Sequence, residues 1–284
     1  MPSKNQINRV NIALTILLIS SFVIAFFPVW KNLVRAWYIS EEYSHGFFVV
    51  PISLFILWRK KNTLANITRQ PSKWGLVLVI LSLLLYLFAH FAEIRTVASL
   101  SMVLLLPGVV IYLYGYPMLR EVIFPIFFLF FMIPVPAQIY SSLTIPLQLF
   151  VSKISVGIAQ LLSIPVYREG NVIYIPDQIL KVVQACSGLR SMMSLLALSA
   201  IFGYFTLKSN LLRSILILSG IVSSILVNTL RIILLIFAFQ YTSFDLTKGI
   251  THTIFGIFIF FFAIIIIVIF EGILSKWDKP LIQN

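Results

Sequence analysis

Cysteine is nearly absent from this chain: 284 residues hold one, Cys186. A single cysteine forms no intrachain disulfide and builds no cysteine-based metal site, so any value it has lies in its own chemistry. Carboxylates are scarce as well. Nine Asp and Glu stand against 21 Lys and Arg, a formal net charge of +12 at pH 7, and charged residues of both signs make up only 11% of the chain. There is no carboxylate pair set out for glycosidase work, no His-x-x-x-His zinc spacing and no glycine-rich phosphate loop. Metalloprotease, glycosidase and nucleotide-driven activities are left without support, and neither a metal nor a cofactor is expected.

Apolar residues fill the space that charge vacates. They make up 60% of the sequence, and the mean hydropathy of +1.02 is that of an integral membrane protein. The first run, Val10 to Val29, follows a short basic tail and lacks a small-residue cleavage site, so it reads as a retained span. Apolar runs predict about eight transmembrane helices near 10–29, 45–58, 75–92, 96–114, 121–135, 187–207, 211–239 and 252–272. The one long stretch left over, 136–186, starts with Ser141 to Leu162, where Gln148, Ser152, Lys153, Ser155 and Gln160 interrupt the apolar residues, as in an interfacial amphipathic helix. Glu169-Gly170-Asn171 then sits between β-prone residues and predicts a small hairpin. The expected fold is an all-α polytopic membrane protein carrying a small extracytoplasmic amphipathic helix and hairpin. Its expected divisions are 1–135, 136–185 and 186–284.

Loop charges orient the set. Residues 59–74 hold Arg59, Lys60, Lys61, Arg69 and Lys73 and no carboxylate, while 30–44 balances Lys31 and Arg35 against Glu41 and Glu42. The N-terminal tail, the loop at Lys208 and Arg213, and the tail with Lys276 and Lys279 are basic too. Basic loops alternating with neutral ones follow the positive-inside rule, not a nucleic-acid patch, and put both termini in the cytoplasm. Cys186, Arg231 and His252 then come from three helix ends to one extracytoplasmic face.

Each has a plain reading beside a chemical one. Most free cysteines are small buried apolar residues, but Ser187 and Gly188 open a helix here and Arg190 follows Cys186 by one turn. A helix N-terminus and a nearby guanidinium both favour the nucleophilic thiolate. Arg231 reads as an interfacial anchor or, with Asn228 one turn earlier on the same face, as part of an inward polar pocket. His252 reads as a solvated helix start or as the base that activates a thiol, with Gly249 and Gly256 permitting close approach. His45, in Tyr43-Ser-His45-Gly-Phe, reads equally as a structural residue or a substrate contact. His90, near Glu93 and Arg95, reads as an interfacial hydrogen-bonder.

Taken together, Ala-Cys186-Ser-Gly-Leu-Arg190-Ser, Asn228-Thr-Leu-Arg231 and His252 resemble the exosortase/archaeosortase family, as does Tyr43-Ser-His45-Gly-Phe followed by Pro51 and Trp58-Arg59-Lys60. The similarity covers most of the chain in the expected order. One departure is Gln184, where the family pattern has an acidic residue two positions before the cysteine. The resemblance implies a membrane-embedded cysteine transpeptidase or protease acting on exported proteins with a C-terminal sorting signal of the PEP-CTERM type. It implies Cys186, Arg231 and His252 as catalytic residues, with Arg190, Asn228, His45 and Ser187 in support or on substrate. Its expected partners are those exported proteins, membrane lipid and a surface-polysaccharide or lipid acceptor, with no nucleic acid. A transporter or flippase for an anionic or lipid-linked substrate is the alternative, since intramembrane polar residues serve transport too. The absence of an internal repeat speaks against it. A structural assembly subunit is a further alternative. Either would tolerate loss of Cys186.

Overall fold

The structure, a computed structural model, describes residues 4–176, 178–182, 189–242, 246 and 249–278; at residues 4–12, 15, 189 and 190 it gives the backbone alone. The chain divides into two compact units, Met1–Pro134 and Val135–Asn284.

The first unit holds α1 (Lys4–Ala25), α2 (Phe27–Ile39), α3 (Gly46–Arg59), the short α4 (Lys61–Ala65), α5 (Trp74–Phe91), α6 (Arg95–Leu113) and α7 (Tyr116–Phe128), with a 3₁₀ turn at Leu129–Met132. Pro28, in the first turn of α2, has no N–H to continue α1, and the two helices meet at a 64° bend. Buried Phe26 fills the bend against Phe22 and Tyr86, and the Tyr86 hydroxyl donates to the Ala25 carbonyl at 3.0 Å. Helices α5 and α6 approach through glycine: a Cβ on Gly75 would lie 2.2 Å from the Tyr112 nitrogen and 2.6 Å from the Gly108 oxygen.

Prolines create a second local problem after α7. Pro134 and Pro136 supply no N–H to carbonyls in the preceding turn, and a buried carbonyl without a donor is unfavourable. Side chains take over. Trp37 Nε1 donates to Met132 O at 2.9 Å and His45 Nε2 to Phe131 O at 3.0 Å. Bonds from Thr96 Oγ1 to Pro134 O and from Ser53 Oγ to Pro125 O of α7, both at 3.1 Å, tie the same region to α6 and α3.

The second unit holds α8 (Ala137–Leu161), strands β1 (Tyr167–Glu169), β2 (Val172–Ile175) and β3 (Gln178–Lys181), then α9 (Leu189–Thr206), α10 (Asn210–Tyr241) and α11 (Gly249–Trp277). The strands form one antiparallel sheet in the order β1-β2-β3, with Tyr167 opposite Tyr174 and Tyr174 opposite Ile179. Gly170, with φ of +61°, makes the turn between the first two strands. The region expected as a hairpin thus has a third strand. Ile173, Ile175, Leu180 and Val182 turn inward onto Val151, Val156 and Ala159 of α8 and Ile232, Leu235 and Ile236 of α10. A second core joins Leu195 of α9, Leu216 and Val227 of α10, and Ile259, Ala263, Ile267 and Leu274 of α11. Asp278, just past α11, accepts from the Ser209 backbone N–H at 3.0 Å and from that of Lys208, a favourable charge at the start of α10.

Helix α8 differs from its expectation in where its polar face goes. Gln148, Ser152 and Ser155 are buried, not wetted. Asn171 Nδ2 donates to Gln148 Oε1 at 3.4 Å, Ser152 Oγ to Gly170 O at 3.4 Å, Gln160 Nε2 to Val166 O at 3.0 Å and Ser155 Oγ to Thr229 O at 3.3 Å. The exposed side carries Leu143, Ile145, Phe150 and Leu161, together with Lys153 and Gln160. Such an inverted helix suits a surrounding of lipid. Among the described residues five helices are long and apolar enough to cross a membrane: α5, α6, α8, α10 and α11. Counted as one span, the bent α1–α2 pair makes a sixth. Of the runs expected as spans, α3 and the Ser191–Thr206 part of α9 are shorter apolar helices, and α7 is a helix of 13 residues. The chain is an all-α polytopic membrane protein with one small sheet.

Candidate functional site

Arg231 and His252 meet. Arg231 Nη2 lies 2.8 Å from His252 Nε2, with both side chains half-buried. A guanidinium only donates. Nε2 is therefore the acceptor, and this His252 is neutral with its proton on Nδ1. Helix geometry explains the pairing. Arg231 stands ten residues before the end of α10, so that helix runs about 15 Å past it. Gly249, with φ of +63°, opens α11 and puts His252 in its first turn. A helix that overshoots and a partner that begins low bring the two together.

Below the pair, α10 presents a stripe of small and polar residues. Gly220, Ser224, Asn228 and Arg231 recur at spacings of four, four and three, one face of a helix, and the first three are buried. Helix α9 packs along it in antiparallel register. Arg213 Nε donates to Gly203 O at 3.2 Å, a Cβ on Gly220 would lie 3.1 Å from Ser199 Oγ, and Ser191 Oγ lies 3.2 Å from Ser224 Oγ. On another side, Thr229 O accepts from Ser155 of α8. Ser191 and Ser224 did not stand out in the sequence. The signal for both was the helical spacing of small polar residues, which is weak when serine is as common as it is here.

Of the other expected site residues, Cys186 and Ser187 lie outside the described residues, as do Gln184 and the side chain of Arg190. Asn228 is buried on the face described above. His45 belongs to the first unit, at the start of α3, where its Nε2–H closes the Phe131 carbonyl. Burial lowers its pKa below the ordinary histidine value, opposed by the Phe131 and then the Glu42 carbonyls. His90 is exposed at the end of α5, between the rings of Tyr86 and Phe91. Among the described residues no group of three or more His, Cys, Asp or Glu is placed to hold a metal ion.

No curated protein and no solved structure matches the chain. A family model does: the one described as Transmembrane exosortase (Exosortase_EpsH) matches residues 30–269, a stretch that takes in α3 through most of α11 with Cys186, Arg231 and His252. With that match over most of its length, this chain belongs to the transmembrane exosortase family.

Proposed function

We propose that this protein is a membrane-embedded cysteine transpeptidase or protease that cleaves C-terminal sorting signals of exported proteins through a thioester on Cys186. The observation that carries the reading is the Arg231–His252 contact at 2.8 Å, together with how the chain is held on either side of Cys186. Val182 belongs to the core that includes Ile232 and Leu235 of α10, and Ser191 meets Ser224 of the same helix. The described chain thus leaves α10 just past Arg231 and returns to it two turns before Arg231.

The chemistry follows from what each group can do. The lone pair on His252 Nε2 takes the Cys186 thiol proton, and the thiolate Sγ attacks the scissile carbonyl carbon. Once Nε2 carries a proton it no longer accepts from Arg231. The freed guanidinium turns to the oxyanion that forms as the carbonyl π electrons move onto oxygen. As the tetrahedral intermediate collapses, the C–N bond breaks, the amine takes the Nε2 proton, and a thioester remains. An acceptor amine, or water, then gives its proton to Nε2, attacks the thioester and expels the Cys186 thiolate. The Arg231–His252 contact is thus a resting state that proton uptake undoes.

Loop charge supports the orientation. With α8 lying along the interface, α1–α2, α3, α5, α6, α7, α9, α10 and α11 make eight crossings, both termini are cytoplasmic, and the Arg231–His252 end faces outward. The test of function is co-expression with a tagged protein ending in a PEP-CTERM-like tail, reading the mass of its new C-terminus. Wild type is expected to shorten the protein, with Cys186→Ala inactive and Arg231→Lys strongly impaired, since Lys lacks the guanidinium's forked donors. Added mass on the new terminus identifies transfer; its absence identifies hydrolysis. Equal processing by wild type and Cys186→Ala overturns the reading.

A further inference from the structure

The first unit contains a cavity of about 550 Å³ unrelated to the Arg231–His252 pair. Its walls are Leu57 near the end of α3, Val110 near the end of α6 and Met118 in the first turn of α7, and its rim carries Lys61, Arg69 and Tyr114. The volume is that of a small-molecule site. The composition is that of an amphiphile's site, apolar within and cationic at the mouth.

Three features show that the mouth is built and not incidental. The loop carrying Arg69 is fastened to the end of α6: the Gln70 N–H donates to Tyr114 O at 2.9 Å and that of Ser72 to Ile111 O at 3.1 Å. Gly115, with φ of +88°, permits this, because a Cβ there would lie 1.9 Å from the Gln70 oxygen. Both cations are steadied by aromatic faces, Arg69 at 5.0 Å from the Tyr114 ring centroid and Lys61 at 5.2 Å from that of Trp58. Finally, Glu121, the carboxylate of this region, is taken by Lys60 at 2.9 Å. Among the described residues neither Lys61 nor Arg69 forms an ion pair, so their charge is left for a ligand.

The location names the ligand's source. Lys61 and Tyr114 sit where helices end and Arg69 in the loop fastened to them, and exposed Trp58, Trp74, Tyr112 and Tyr116 lie at the same helix ends. Aromatic side chains in that arrangement mark a bilayer's headgroup level. We propose that this cavity is a binding site for an acidic phospholipid, its phosphate held between Lys61 and Arg69 and the start of an acyl chain against Leu57, Val110 and Met118. Clustered cations beside a span recognise anionic headgroups in this way.

The full chain, purified in an uncharged detergent and given equal phosphatidylglycerol and phosphatidylcholine, tests this by native mass spectrometry of retained lipid. Wild type is expected to retain phosphatidylglycerol preferentially, and Lys61→Gln with Arg69→Gln is expected to lower that retention by about tenfold. Lys73→Gln removes a charge from the same loop without touching the cavity and is expected to change little. Val110→Phe keeps both cations but fills the apolar part, and is expected to lose retention as well. Equal retention of the two lipids, an equal loss in Lys73→Gln, or full retention in Val110→Phe would each overturn the site. Displacement of phosphatidylglycerol by an equal concentration of glycerol phosphate would overturn the lipid in favour of a soluble phosphate.

Discussion

Two histidines in this chain hold their protons on opposite nitrogens, and their partners decide which. His45 Nε2 donates to a carbonyl, so the proton is on Nε2; His252 Nε2 accepts from a guanidinium, so the proton is on Nδ1. The first ring fills a structural vacancy made by prolines. The second holds its Nε2 lone pair on the Arg231 guanidinium. For His45 a pH dependence follows. Burial depresses its folded pKa below the ordinary value of 6.5, so the unfolded chain binds the proton more readily. Its contribution to stability is complete above that unfolded value and is lost as pH falls through it toward the folded pKa. Thermal unfolding of the purified protein between pH 7.5 and 5 is expected to show an acid loss that is smaller in His45→Gln. The Gln amide donates to Phe131 without titrating. An acid loss of the same size in both would remove His45 as its cause. Sequence alone made Arg231 and His252 legible, because both sat near helix ends implied to share a face. It left His45 open because its partner is a carbonyl 86 positions away, freed by prolines whose effect on donors is local but whose remedy is not.

At the scale of the element, apolar runs located the long helices but not what their faces meet. Helix α8 shows why. Its serines and glutamines recur with helical period, and a pattern of this kind says that one face is polar without saying whether water or protein satisfies it. Here the protein does, through Asn171, Gly170, Val166 and Thr229. The third strand was equally hidden, since four residues of Gln-Ile-Leu-Lys carry little signal until β2 supplies a partner edge. Close helix contacts are more readily tested. Gly75 has no room for a Cβ against Tyr112 and Gly108, whereas Gly272 of α11 has nothing within 4 Å. Gly75→Val is expected to lower stability by about 1–3 kcal/mol, the usual range for overpacking. Gly272→Ala is expected to be neutral or to stabilise by up to about 1 kcal/mol through helix propensity. Thermal melts of the two variants in one detergent check this. Equal melts would mean that the α5–α6 contact yields easily.

At the scale of the whole molecule, the arrangement of the chain across the bilayer turns on α8. Its length permits crossing, yet its bonds to the sheet and to α10 also suit a helix lying in the interface with its apolar side toward lipid. The two arrangements differ in parity. Between Asn62, in α4, and Thr242, just past α10, lie α5, α6, α7, α9 and α10. In the proposed arrangement all five cross and put the two residues on opposite faces, and a crossing α8 makes six and puts them on one face. Charge favours the odd number, because a crossing α8 would carry Lys208 and Arg213 to the side opposite the basic 59–74 loop. The single cysteine makes the question direct to answer. In a Cys186→Ala background, Asn62→Cys and Thr242→Cys, both at exposed positions, are treated in intact cells with a membrane-impermeant maleimide. Thr242→Cys is expected to react at once and Asn62→Cys only after lysis, which places the Arg231–His252 end of α10 outside and keeps α8 in the interface. Reaction of both before lysis, or of neither, would show an even number of crossings and make α8 a span. Reaction of Asn62→Cys alone would invert the protein, and the thioester chemistry would then face the cytoplasm, where exported substrates no longer are.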